Sequence, residues 1–365
     1  MIAVLMYGAT ETDADLFHEI PAVIVDAFPY LEDGAGRRMA IIGPADAVHL
    51  PEFGVEVLQR EDFGWDELVR SCRDEYEVWG KVVLRACASL GIREAVVPPH
   101  FPIFLADALR TGGLTLCTDP QLFAARRRVK TAHELSGIRR AQLCAEAAMT
   151  VARNLIRECR TAGDIREAIR TVYHEHDCYF DDAMVAPGAQ SASYHLMGEG
   201  PLVPGEPFVV DLWPRDRRSR CWADMTRTFV AGGVAPSAQL LEMWRLCRES
   251  LEIAYSRIRA GAHGGAVYAA SCEVFEAAGW PTQRTKPPDE PIVDGFAHGL
   301  GHGVGLEVHE RPNLSRMGDE LVAGDVIAIE PALYLQGFGG CRLEDLVLVT
   351  DEGCERLTNF PYELI

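Results

Sequence analysis

Asp211, Asp224, His302, Glu330 and Glu344 are five side chains of metal-binding type in the second half of the sequence. Asp211 and Asp224 stand 13 residues apart, and Glu330 and Glu344 stand 14 apart. The first acid of each pair lies inside an apolar run, FVVDLW (208–213) or VIAIEPALY (326–334). The second opens another, ADMTRTFV (223–230) or RLEDLVLV (342–349). An unpaired carboxylate inside a buried strand costs several kcal/mol, and acids buried together also repel. Two acids placed twice on paired strands are therefore read as a cage for two divalent cations. Such ions, about 3.5–4 Å apart, can hold a hydroxide between them and lower the pKa of water towards neutrality. No Ser or Cys nucleophile is then required, and a metallohydrolase is the first expectation. Four carboxylates with one imidazole favour the harder end of the series Mn, Co, Fe and Zn.

The segment FAHGLGHGVGLEVHERP (296–312) holds His298, His302 and His309 among four glycines. The glycines leave room for close backbone approach and unusual φ, so an irregular loop is expected there rather than a helix. A histidine beside a metal can also donate a hydrogen bond or proton to an anionic intermediate. His195, in SASYHLMGEG, is weaker evidence by itself. GLGHG (299–303) lacks the Lys-Ser/Thr pair and the strand-to-helix setting of a phosphate loop.

The elements that must position these residues are legible from pattern. Thr131 and Glu134 have the spacing of a capping box and open a long helix to about Arg160. A second helix restarts near Asp164, followed by a strand over 178–188. The order recurs: a helix from Pro236–Ser237 to about Arg259, a break at Gly261–Gly265, and a helix to Gly279. A Pro-rich loop, the Gly/His segment and further strands follow. Residues 131–232 and 236–350 thus read as a weak internal duplication, each half ending on strands that carry two acids.

Upstream, RRMAIIG (37–43) and REAVVPP (93–99) read as strands, and 32–36 as a hairpin turn. Pro29 weakens the preceding strand or puts it at an edge. Residues 62–90 have a helical period that Gly80 is expected to break. The expected division is a small α/β domain over 1–122, a linker over 123–130 and a larger domain over 131–365. A chain of 365 residues exceeds the size of a single core.

The net charge of −19 argues against nucleic acid and anionic membrane as partners. Eleven cysteines, with no Cys-x-x-Cys, are read as free thiols in a reducing compartment. There is no basic n-region and no apolar stretch of about 20 residues. A cytoplasmic enzyme is expected.

With these segments laid out, the chain resembles the aminopeptidase P and prolidase family of metallopeptidases. The matching stretches are RRVKTAHELSGIRRA, VAPGAQSASYHLMGEG, VVDLWPRDRRSRCWADMTRTF, HGLGHGVGLEVHERP, VIAIEPALY and CRLEDLVLV. The resemblance implies an α+β "pita-bread" domain with pseudo-twofold duplicated halves, preceded by a smaller α/β domain of creatinase type. It implies that Asp211 binds one metal, that Asp224 and Glu344 bridge two, and that His302 and Glu330 complete the other site. Glu330 becomes the general base towards the attacking hydroxide. His195, His298 and His309 line the substrate pocket, where His298 or His309 stabilises the intermediate. Arg342 contacts substrate or the metal shell. The implied reaction is hydrolysis of the bond between an N-terminal residue and proline, in dipeptides or longer peptides. The implied cofactor is two divalent ions, manganese first, with cobalt, zinc or iron as alternatives. A homodimer is also implied. The loop PRDRRSRC (214–221) is more basic and slightly longer than the turn usual in that family, so it bears on pocket access or assembly.

Two other readings compete: an enzyme of this fold turned to another small substrate, and a non-catalytic binding protein. Creatinase shares the fold without the metal ligands, whereas all five are present here. That disfavours the non-catalytic reading.

Overall fold

A computed structural model describes residues 2–158 and 160–365, which form two units, up to Arg127 and from Arg128 onward. The first unit is built on six strands: β1 (Ala3–Gly8), β2 (Phe28–Glu32), β3 (Arg38–Ile41), β4 (Val55–Leu58), β5 (Glu94–Val97) and β6 (Thr115–Thr118). Their order is β4-β3-β2-β1-β5-β6, and β2 alone runs against its neighbours. Leu5, Leu31, Met39 and Ile41 are buried on one face against helices, each contributing about 1.5–3 kcal/mol. Those helices include α3 (Glu75–Ser89) and α4 (Ile103–Thr111), preceded in the chain by α1 (Ala14–Glu19) and α2 (Trp65–Ser71).

Two expectations need correction here. Gly80 does not break the helix. The interruption falls at residues 72–74, where Asp74 caps α3 by accepting from the Glu77 N–H. Gly80 instead lets α3 approach α4, because a Cβ there would lie 2.7 Å from Ala108 Cβ. Pro29 lies in an interior strand, not an edge. The β2–β3 pairing begins at Tyr30, so the missing N–H falls beyond the end of that ladder. Residues 120–128, most of the stretch expected to link the units, form helix α5 (Pro120–Arg128).

The second unit repeats one order of elements. Helices α6 (Ala132–Arg157) and α7 (Ala162–Glu175) each start on a complete capping box, Thr131 with Glu134 and Thr161 with Asp164. Strands β7 (Cys178–Tyr179), β8 (Met184–Pro187), β9 (Pro207–Leu212), β10 (Arg215–Asp216) and β11 (Met225–Val230) follow. The expected strand over 178–188 is therefore two, split at residues 180–183. Helices α8 (Ala238–Arg257) and α9 (Gly264–Ala277) come next. Then come β12 (Gly301–Gly303), β13 (Glu310–Leu314), β14 (Val326–Ile329), β15 (Ala332–Leu335), β16 (Gly339–Arg342), β17 (Asp345–Val349) and β18 (Cys354–Arg356). The first half centres on the sheet β11-β9-β8 and the second on β13-β12-β14-β17-β18. Each half packs its helix pair on its own strands. This is the pita-bread arrangement.

The Gly/His segment is the main departure from expectation. Residues 301–303 form an interior strand, with β13 on one side and β14 on the other. The glycines serve close approach: a Cβ on Gly301 would lie 1.9 Å from Ala328 O, and one on Gly303 2.2 Å from Arg311 O. Neither residue has positive φ. The basic loop folds back on its own half. Asp216 is buried, bonded to Arg140 and the Ser219 hydroxyl, while Arg215 and Arg217 lie over the Tyr179 ring. The cysteines among the described residues are free. No described helix is long and apolar enough to cross a membrane.

Candidate metal centre

Strand pairing carries each acid to the same place. In the first half, β9 and β11 pair with Asp211 opposite Thr226, and Asp224 immediately precedes β11. In the second, β14 and β17 pair with Ile329 opposite Asp345, so Glu330 and Glu344 leave adjoining strand ends. His302 sits mid-strand in β12, opposite Ala328 of β14. Hydrogen bonds stitch the halves together. The Glu344 N–H donates to the Thr226 carbonyl at 3.0 Å. The Thr228 hydroxyl donates to the Arg342 carbonyl and accepts from its N–H, both at 2.9 Å.

All nine residues singled out in the sequence line one cavity of about 300 Å³: the five candidate ligands with His195, His298, His309 and Arg342. Within it, ligand atoms of Asp211, Asp224 and Glu344 lie within 4.8 Å of one another. The same holds for His302, Glu330 and Glu344, and for Asp224, His302 and His309. Glu344 belongs to the first two groups. His309 was expected only on the substrate side; its ring also approaches His302, with centroids 4.2 Å apart.

The donor set fits cations. His302 Nδ1 lies 3.1 Å from the Gly303 carbonyl, an acceptor, so Nδ1 carries the proton and Nε2 presents its lone pair. That Nε2 is 3.7 Å from both Asp224 Oδ2 and Glu330 Oε1. One ring nitrogen and two carboxyl oxygens thus converge on one point. Asp211 Oδ1 is buried and has no hydrogen-bond partner. Against four carboxylates stands one buried guanidinium, Arg342, paired with Asp211 and bonded to Thr226 Oγ1 at 3.1 Å.

The electrostatics follow. Burial, then Glu344 and Asp211, raise the Asp224 carboxyl well above its usual range. Burial, then Asp211 and Glu330, do the same to Glu344. Burial pushes Glu330 up to about 7, although Arg342 opposes it. Burial pushes His302 and His298 down to about 3, so both rings are neutral. Cations held among these groups would lower the raised carboxyls again.

Several residues at the site were missed from sequence. Thr226 Oγ1 donates to Glu344 Oε2 at 2.7 Å. Its position two residues after Asp224, on an alternating strand, was the available signal. His298 Nδ1 donates to the Gly299 carbonyl at 2.7 Å, leaving Nε2 to accept from the Tyr334 hydroxyl at 2.9 Å. The Tyr194 ring covers this pair, its centroid 5.6 Å from His298 and 5.4 Å from Tyr334. No local sequence pattern announces Tyr194 or Tyr334.

This geometry coincides with a family match over residues 136–351, more than half of the chain, to metallopeptidase family M24. The chain belongs to that family. It is 30% identical over 243 residues to an Xaa-Pro dipeptidase of Pyrococcus furiosus, a stretch covering 65% of this chain and 65% of that relative. It is 28% identical over 307 residues to a probable dipeptidase, PepE, of Mycobacterium tuberculosis, covering 80% of this chain and 74% of that one. The solved prolidase of Pyrococcus horikoshii superposes with a TM-score of 0.80 at 22% identity, covering 100% of this chain and 96% of that one. At that identity the superposition speaks for the fold, the two-domain pita-bread architecture. Membership of family M24 makes this protein a metal-dependent peptidase.

Proposed function

We propose that this M24 metallopeptidase holds two divalent cations and cleaves the bond between an N-terminal residue and proline. The observation that carries the reading is the overlap of two ligand groups on Glu344, one from each half of the domain. Asp211, Asp224 and Glu344 form one site, and His302, Glu330 and Glu344 the other, with Asp224 reaching both. Bound there, the two ions supply Lewis acidity towards a carbonyl and a lowered pKa for water. Carboxylate-rich ligation points to manganese first, with cobalt, zinc or iron able to substitute.

The chain's own groups do the rest. Glu330 takes the proton of the attacking water on a carboxylate oxygen, which lies in the same cavity as the other candidate ligands. Neutral His298, its Nδ1–H bonded to the Gly299 carbonyl and its Nε2 to the Tyr334 hydroxyl, is fixed beside Glu330, and His309 is left to donate towards oxygen charge that develops on the substrate. Arg342 pairs with Asp211 and holds its carboxylate in place. His195 and His309, exposed at the mouth, face the substrate. A prolyl bond has no amide N–H, so a pocket walled by Tyr194, Trp213 and Met197 rings and stems accepts the pyrrolidine without leaving a donor unpaired.

The test is to strip metal, restore manganese, cobalt or zinc, and assay Gly-Pro, Ala-Pro and a longer Xaa-Pro peptide. Metal-dependent release of the N-terminal residue is expected; its absence from all three overturns the substrate assignment.

A further inference from the structure

The first unit contains a cavity that the metal centre does not use. It encloses about 560 Å³ and lies at one end of the six-stranded sheet. Tyr7 comes from the carboxyl end of β1, and Ile41, Ile42 and Gly43 from the carboxyl end of β3. Arg60 follows the carboxyl end of β4. The crevice outside the carboxyl ends of parallel strands is where open α/β sheets bind ligands. This cavity has that position, and it has a distinctive wall.

Five aromatic residues line it: Tyr7, Phe28, Trp65, Tyr76 and Trp79. Trp65 and Trp79 stand 5.0 Å apart between centroids, and Tyr7 meets Trp79 at 6.1 Å. Three carboxylates share the lining, Asp26, Asp46 and Glu75. Among the described residues, none of the three has a Lys, Arg or His within ion-pair distance. The one cation present, Arg60, is already paired with Glu61 at 3.1 Å. Its guanidinium also lies 4.3 Å over the Trp65 ring, so this wall already accepts a planar cation on an aromatic face. The lining is therefore electron-rich in two ways, through ring faces and through unpaired carboxylates. Anions are repelled by both, and a neutral ligand gains hydrogen bonds and packing but not the charge attraction.

We propose that this cavity binds an organic cation, an ammonium or guanidinium group carried on an apolar stem. The stem lies against the rings and Ile41, and the charged head meets Glu75 and Asp26. The ligand is either a free amine or guanidine, or a Lys or Arg side chain of a peptide; both present the same chemistry. The site is independent of the peptidase reading, since none of its residues belongs to the metal centre.

The test titrates the manganese-loaded full-length protein with n-butylguanidinium by calorimetry, with butyrate and n-butanol as anionic and neutral controls. An arginine-containing peptide forms a second arm, which separates a small-molecule site from a peptide-binding one. Saturable binding of the cation in at least one arm is expected, with none for butyrate or butanol. The Asp26→Asn/Glu75→Gln protein should bind about tenfold more weakly with an unchanged melting temperature. Trp79→Leu should weaken binding as well, and neither variant should change peptidase turnover. No saturable binding of either cation, equal binding of butyrate, or equal binding by the folded Asp26→Asn/Glu75→Gln protein overturns the proposal.

Discussion

Thr226 donates a 2.7 Å hydrogen bond to Glu344, across the junction of the two halves of the catalytic unit. The same hydroxyl accepts from Arg342 Nε, so one oxygen fixes both the Glu344 carboxylate and the Arg342 guanidinium. Thr226→Val keeps the shape and removes the bond. Loss of such a supporting contact is expected to weaken manganese binding about 10–100-fold, read by calorimetric titration. Circular dichroism should show an intact fold.

Glu330→Gln removes a buried acid without changing its size. Turnover is expected to fall at least about 10²-fold. The metal-free variant should melt no lower than the parent, because a charge whose pKa burial has raised is gone. A variant that keeps its turnover removes Glu330 as the base.

The raised carboxyls of Asp224, Glu330 and Glu344 set a pH dependence. A folded-state pKa above the unfolded value, about 4.3 for Glu, stabilises the protonated form. For Glu330 that contribution is full below about 4.3 and is lost as pH rises through about 7. The melting temperature of the metal-free protein should therefore fall between about pH 5 and pH 8 relative to the metal-loaded protein. Metal affinity should rise over the same window as fewer protons have to be displaced. Parallel melting curves with and without manganese, at several pH values, check both.

Gly301→Ala tests the close approach in β12. A Cβ 1.9 Å from the Ala328 carbonyl forces β12 and β14 apart. A loss of about 2–4 kcal/mol is expected from urea unfolding. Gly91→Ala, where a Cβ has open space but φ is +70°, should lose less.

Much of this was legible in the sequence. The four acids stood out as candidate ligands because carboxylates inside apolar strands need a partner, and the structure brings them with His302 to one cavity. The capping box of Thr131 and Glu134 follows from its spacing, and that of Thr161 and Asp164 went unread. The strand at Gly301–Gly303 was not legible. Its glycines carry the signature of a loop, and only the nearness of Ala328 and Arg311 shows that they are there to admit neighbouring backbone. Gly80 misleads for the same reason, since its partner Ala108 lies on another helix. Tyr194 and Tyr334 join His298 through tertiary contacts that no local period records. The basic loop 214–221 reads as bearing on pocket access or assembly, and nothing in its sequence shows that it buries Asp216 against Arg140.

The central claim is that two cations share Glu344. Calorimetric titration of the metal-free protein with manganese tests it directly. The account predicts about two ions per chain for the parent, and weakened binding of both in Glu344→Ala. A single ion per chain, or a Glu344→Ala protein that binds as the parent does, contradicts it.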